Sequence, residues 1–305
     1  MGLSHTTVNV FVGCCSSAFL MEILMARKPS SANLVTFLQF AFISVYGFLV
    51  TTKFGTVGPK IPLKQYIILV ALFFITTVAN NYVYALHVPS TLHMIIRSAS
   101  SPASMIVYCC VKKQWPKLNN ALGSVLISTG VALAMYGGAP TDEENKGTFL
   151  YWCIGVTILL ATLITGAFTG IQQERLYSRY GKHPNEMLFY THAIPMPVFI
   201  GMYPQLVDTS ADLSWDSWLL IILNILSQFY CTHSVHDLAT KETAVTVTFI
   251  LTVRKFLSLL LSSVVFKNNL TVYHVIGTVL VGIGSYVYFD FFSSRRPQPV
   301  SMKTK

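Results

Sequence analysis

Charge is what this sequence has least of. Asp, Glu, Lys and Arg supply 11% of its 305 residues, about half the share found in soluble domains. With 53% apolar residues and a mean hydropathy of +0.56, a water-soluble fold is excluded. The sequence also lacks the motifs of chemistry: there is no G-x-x-x-x-G-K-[ST] loop, no H-E-x-x-H, no G-x-S-x-G elbow and no Gly-rich dinucleotide turn. No ATP-driven step, catalytic residue, cofactor or metal site is expected. The first apolar block has neither a basic start nor an A-x-A-like cleavage site, so it reads as a retained helix rather than a signal peptide. Six cysteines occur, Cys14, Cys15, Cys109, Cys110, Cys153 and Cys231, all within apolar blocks. They lack the paired spacing of a zinc site or a disulfide scaffold and are expected to be helix-packing residues. The net charge of +9 comes without a basic, aromatic-interleaved stripe in a polar domain, so nucleic acid is not an expected partner.

What is present is apolar sequence in long blocks, near 8–25, 34–50, 66–86, 91–111, 121–137, 149–172, 187–203, 215–235, 243–266 and 273–292. Most approach the ~20 residues that cross a bilayer core as helix. The reading is an all-α, polytopic membrane protein of ten transmembrane helices embedded in lipid. With a cytosolic N-terminus, fourteen of the twenty-one Lys and Arg residues fall on the cytosolic side, including Lys53, Lys112, Arg175, Lys241 and Arg295. Only Arg27, Lys28, Lys146 and Lys267 fall opposite, together with acidic stretches at 142–144 and 208–216. That bias places both termini in the cytosol. The three remaining cations, Arg97, Arg254 and Lys255, lie inside spans.

The chain also resembles itself. An offset of 152 pairs Glu22 with Glu174, Arg27 with Arg179, Asn33 with Asn185 and Phe37 with Phe189. An offset of 154 pairs Lys113 with Lys267, Gly123 with Gly277 and Gly130 with Gly284. The paired spans are 1–2 with 6–7 and 4–5 with 9–10, which gives five helices per repeat. An odd number inverts the second copy, and inverted repeats are a signature of carriers that open alternately to each side of a midplane site. The expected units are 1–140, 141–292 inverted against it, and a cytosolic tail, 293–305. Gly123, Gly130, Gly277 and Gly284 are assigned to close helix contact rather than to ligand binding.

A cation in a span costs ~2.5–3.5 kcal/mol on insertion scales and usually faces a polar cavity or a partner. Arg97 in span 4 and Arg254-Lys255 in span 9 lie on helices matched by the repeat, and neither span contains an acid. Such a centre favours an anion: Arg offers a planar fork to phosphate, and Lys a compact charge. His93 lies one turn from Arg97 on the same face, where it serves either the ligand or a neighbouring helix. Asn80, Asn81, Tyr82, Gln39, Tyr190 and His192 add uncharged polar groups suited to a sugar or a base, or to interhelical hydrogen bonds. Glu22 and Glu174, near helix ends, are candidates for gate or anchor.

At these residues the chain resembles the nucleotide-sugar transporters of the drug/metabolite transporter superfamily, above all the UDP-xylose and UDP-N-acetylglucosamine group. The likeness is carried by Gly13-Cys14-Cys15-Ser16, Asn33 to Phe40, Asn80-Asn81-Tyr82, and Leu92-His93-Met94-Ile95-Ile96-Arg97-Ser98. In the second half it is carried by Gly170-Ile171-Gln172-Gln173-Glu174-Arg175-Leu176-Tyr177, Gly181-Lys182-His183 and Arg254-Lys255-Phe256. The group's Pro before the Leu-His-Met run and its Gly after the Arg are here Thr91 and Ala99. The resemblance implies two inverted five-helix halves and a Golgi or endoplasmic-reticulum membrane. It also implies exchange of cytosolic UDP-sugar for lumenal UMP, with Arg97, Arg254 and Lys255 on the phosphates. Alternatives are a carrier of the same fold for another nucleotide-sugar or phosphorylated metabolite, and a membrane-embedded transferase using His93 or His192. Oligomeric state stays open, a homodimer included.

Overall fold

The computed structural model describes residues 5–28, 31–85, 96–113, 115–137, 149–265 and 271–289, and these contain helix and turn but no strand. The helices are α1 (His5–Arg27), α2 (Ala32–Tyr46, continued by a π-helical turn over Gly47–Thr51), α3 (Leu63–Ala85), α4 (Ser100–Lys112) and α5 (Leu118–Gly137). Then come α6 (Phe149–Tyr180), α7 (Pro184–Ala193), a 3₁₀ stretch (Met196–Met202), α8 (Tyr203–Ala211), α9 (Trp215–Lys241), α10 (Ala244–Val265) and α11 (Val272–Phe289). Four helical stretches, His5–Arg27, Ala32–Thr51, Cys153–Tyr180 and Trp215–Lys241, are long and apolar enough to cross a membrane. Leu63–Thr76, Leu118–Ala134 and Val272–Tyr288 are shorter apolar helices.

The pattern of burial is that of a chain solvated by lipid. Large apolar side chains such as Ile75, Ile106, Val125, Leu219 and Ile283 face outward, while Ser17, Ser101, Ser104, Ser124, Asn224 and Thr252 are buried. Lipid tails satisfy apolar surface as well as a protein core does, so small and polar residues collect where helices meet. Ser101 hydrogen-bonds Ser124 at 2.8 Å between α4 and α5. Asn224, fully buried on α9, donates to the Ser17 carbonyl on α1 at 2.8 Å and accepts from Gln39 Nε2 on α2 at 2.6 Å.

Helix ends follow local chemistry. Gly181, at φ +97°, terminates α6 in the left-handed region that favours glycine. Pro184 then opens α7 in the first turn, where no backbone N–H is needed. The block expected as a single span at 187–203 is broken instead. Pro195 and Pro197 cannot donate to the α-helical ladder, so the chain passes through the 3₁₀ stretch before α8. The expected span at 149–172 runs on as α6 to Tyr180.

Helices α5 and α11 pack antiparallel through glycines. A Cβ on Gly123 would lie 2.7 Å from the Gly284 carbonyl oxygen, and one on Gly130 2.7 Å from that of Gly277. The other large interfaces are α1 with α9 and α3 with α6, followed by α4 with α6, α1 with α10, α2 with α7 and α4 with α10. One cysteine expectation is corrected: Cys14 on α1 and Cys231 on α9 form a disulfide, with Cα atoms 4.6 Å apart. Their 217-residue separation left no spacing to read, and only the α1–α9 interface brings them together. Gly13 permits the approach, since a Cβ there would meet the Cys231 backbone nitrogen at 2.9 Å. Cys15, Cys109, Cys110 and Cys153 are free.

Candidate functional site: a cationic cavity

Four helical segments meet around one cavity of about 230 Å³. Arg97 enters from the turn preceding α4, and Arg254 and Lys255 from α10. The three cations expected inside spans therefore line the same space. The remaining polar lining consists of hydroxyls, Thr76 on α3, Ser100 and Ser104 on α4, Thr162 on α6 and Thr248 on α10. No acid lines it. Arg254 Nε is buried without a hydrogen-bond partner among the described residues, which is costly for a charged donor in a poorly solvated site. A lining of this charge favours an anion.

The hydroxyls were not read from the sequence, although helical spacing marks them. Ser100 and Ser104 lie three and seven residues after Arg97, and Thr248 seven before Lys255, on shared faces. Several are partly satisfied within the protein: Thr248 donates to the Ala244 carbonyl at 2.8 Å, and Ser100 meets Thr252 at 3.4 Å. Their second hydrogen-bonding capacity is what the cavity can use.

The other candidates are distributed differently. Asn80, Asn81 and Tyr82 lie on the last turns of α3, but their side chains, like the whole of His93, fall outside the described residues. Gln39 is engaged with Asn224 on the α1–α2–α9 side, and Tyr190 stacks on Tyr66 with centroids 4.7 Å apart. The ring of His192 packs on Phe40 at 4.7 Å, and its Nδ1 lies 2.8 Å from the Leu188 carbonyl. None of these three lines the cationic cavity. Glu22 lies exposed near the Arg27 end of α1.

Glu174 lies beyond one end of the cavity and joins three helices. Its Oε2 accepts from the Ala244 backbone N–H at 2.8 Å, its Oε1 from the Tyr108 hydroxyl at 3.2 Å, and Lys112 Nζ lies 3.4 Å away. Each contact has a physical basis. The first N–H groups of α10 have no intrahelical acceptor and carry the positive end of its dipole, while Lys112 sits at the negative end of α4. Between this carboxylate and the cavity, Val107, Ala167, Ile171 and Ala244 form a buried apolar plug. The same end of the molecule carries a second carboxylate device, unrecognised from sequence. Glu186 Oε1 accepts from the N–H groups of Lys60 and Ile61 at 2.9 and 3.0 Å and from the Tyr66 hydroxyl at 2.8 Å.

Known proteins resemble this chain along most of its length. Residues 4–291 match the UAA transporter family. The chain is 36% identical over 307 residues to the UDP-xylose and UDP-N-acetylglucosamine transporter of Danio rerio, covering 93% of each. It is 35% identical to the endoplasmic reticulum GDP-fucose transporter of Drosophila melanogaster, covering 94% of this chain and 90% of that one. A solved crystal structure of 15% identity superposes with a TM-score of 0.65 over 95% of this chain and 99% of the other, which shows a shared fold. Matched almost from end to end by the family and by relatives above one-third identity, the chain belongs to the UAA transporter family of nucleotide-sugar transporters.

Proposed function

We propose that this chain is an antiporter that brings cytosolic UDP-N-acetylglucosamine or UDP-xylose into the Golgi or endoplasmic-reticulum lumen in exchange for UMP. The observation that carries the reading is the convergence of Arg97, Arg254 and Lys255 on one cavity with no acid among the described residues of its lining. Both cargoes present phosphate, and the two guanidinium groups and the ammonium bind it. Asn80, Asn81, Tyr82 and His93 are assigned to orienting the sugar or uracil. At about 230 Å³ the cavity is below the ~300–1,000 Å³ of ordinary ligand pockets, so loading requires one end to open. Glu174 and the apolar plug act as the cytosolic gate.

Alternating access then requires two halves, 1–140 and 141–292, related by inversion. Exchanging spans 1–5 with 6–10 interconverts the Gly123–Gly284 and Gly130–Gly277 contacts. It likewise interconverts the α1–α9 and α3–α6 interfaces, and α1–α10 with α4–α6. These correspondences support the inverted repeat, and the fourteen-to-four distribution of basic residues supports cytosolic termini.

A second reading, transport of GDP-fucose, is favoured by the Drosophila relative. Uptake into proteoliposomes preloaded with nucleoside monophosphate, using a panel of labelled donors, separates the two. We expect UDP-N-acetylglucosamine or UDP-xylose to enter at least about tenfold faster than GDP-fucose, a discrimination of ~1.4 kcal/mol. Preferred GDP-fucose uptake overturns the assignment, as does donor turnover without flux, which marks a transferase.

A further inference from the structure

On the transport reading above, we propose that the Cys14–Cys231 bridge stays closed throughout the cycle, so that α1 and α9 form one rigid wall against which α10 moves its cations. Helix α1 belongs to the first expected repeat and α9 to the second, so the bond crosses the boundary between the two halves. A disulfide holds its two Cα atoms within ~7 Å of each other. With this one closed, the halves cannot part along α1 and α9. Both cysteines are buried, Cys14 at 1% and Cys231 at 8% exposure, which keeps soluble thiols from the attack that opens such bonds.

Hydrogen bonds extend the wall to either side of the bridge. At one end Thr6 donates to Asp237 Oδ2 at 3.2 Å, and Lys241 Nζ donates to Thr6 Oγ1 at 2.7 Å. On the other side Ser17 donates to Gln228 Oε1 at 2.7 Å, next to the bond from Asn224 to the Ser17 carbonyl. The contact of α1 with α10 is of another kind. Cys15 is a free thiol that donates to the Arg254 carbonyl at 3.9 Å and accepts from Ser258 Oγ at 3.4 Å, and sulfur is weak in both roles. Arg254 thus touches the wall through its carbonyl and lines the cavity through its side chain.

Helix α10 follows α9 after Glu242 and Thr243, with Glu242 extended at φ −119°, ψ 161°. The two helices are therefore separate bodies, joined at the end where Glu174 holds the Ala244 N–H. The described lining of the cavity includes nothing from α1 or α9, so α10 is the element that belongs to the cavity and abuts the wall. The repeat sharpens the contrast. The offset of 152 makes Gly166 on α6 the counterpart of Cys14. A Cβ on Gly166 would meet nothing within 4 Å, and Gly166 lines the cavity. The α3–α6 interface is open at the position where its α1–α9 counterpart is bonded.

The test uses the full-length protein in proteoliposomes loaded with UMP. Denatured without reductant, the wild type should present four thiols to maleimide, and six after reduction. The unreduced protein should take up labelled donor as fast as the reduced one. Six thiols before reduction, or uptake that appears only after it, overturns the proposal. Ser258→Cys sets a second thiol against Cys15 and should transport like the wild type before oxidation, which shows that the fold is kept. Oxidation that bonds the introduced thiol to Cys15 should lower uptake at least about tenfold by stopping the helix motion, with recovery when that bond is reduced. Wild-type uptake by the bonded protein overturns the moving seam. Thermal stabilisation by UMP should survive in the bonded protein, and its loss would refute arrested motion in favour of a deformed site. Alkylation of Cys15 in the wild type, followed by mass spectrometry, reads the seam without flux. Its rate should change several-fold when UMP is added while the thiol count stays at four, and an unchanged rate overturns the proposal. Preference for another donor leaves these expectations in place with that donor. Absence of flux with every donor fails the transport reading and leaves Cys15 alkylation to decide the seam.

Discussion

An arginine or lysine inside a bilayer span is stable only if it reaches the interface, pairs with an acid or faces a polar cavity. Arg97, Arg254 and Lys255, expected inside spans, line one cavity together. In the account proposed here phosphate completes their coordination. Arg97→Ala and Lys255→Ala should each lower uptake ~10- to 100-fold, the loss of charged hydrogen bonds at ~1.5–3 kcal/mol each. Arg97→Lys should lose less, because it keeps the charge but not the planar fork. Initial rates over a range of UDP-sugar concentrations check this, and wild-type rates in both alanine variants would remove the phosphate site. Glu174 is testable on its own. Glu174→Gln keeps the shape but weakens the ion pair to Lys112, so Thr248→Cys, placed in the cavity, should react several-fold faster with a cytosolic maleimide. An unchanged rate would make Glu174 an anchor. The cations were legible in the sequence because charge interrupting an apolar run is conspicuous. The hydroxyls were not, since Thr76 and Thr248 satisfy themselves on the carbonyls of Leu72 and Ala244 and barely alter hydropathy.

Between helices, stability comes from fit rather than from removal of apolar surface from water. At α5 and α11 the neighbours of a new Cβ include backbone oxygen, which cannot swing aside. Gly130→Ala should therefore cost ~1–3 kcal/mol, like other overpacked cores. Gly282 on α11 has nothing within 4 Å, so Gly282→Ala should be neutral or gain up to ~1 kcal/mol from helix propensity. Reversible unfolding in detergent distinguishes these outcomes, and equal stability of the two variants would contradict the glycine-mediated contact. Small residues repeated at one spacing on two helices announced this interface in the sequence. The Cys14–Cys231 bridge did not announce itself, because a tertiary contact across 217 residues leaves no local pattern. Nor did hydropathy alone reveal that Pro195 and Pro197 divide the 187–203 block, since the block remains apolar after its helix is interrupted.

At the scale of the whole molecule, cations with no acid among the described residues of their cavity make the empty carrier hard to close. Occluding unpaired charge typically costs several kcal/mol, whereas in the proposed exchange a nucleotide-sugar or a nucleoside monophosphate brings about two negative charges to it. Loaded carriers should therefore reorient far faster than empty ones, and exchange follows from electrostatics rather than from a dedicated coupling device. Because the two proposed cargoes have similar charge, the proposed cycle would move little net charge and escape the ~2.3 kcal/mol per charge that 100 mV imposes. The decisive measurement compares uptake of labelled UDP-N-acetylglucosamine into proteoliposomes filled with UMP and into proteoliposomes filled with buffer. The account predicts rapid uptake only with UMP inside, unaffected by an imposed membrane potential. Equal uptake into empty vesicles would contradict it.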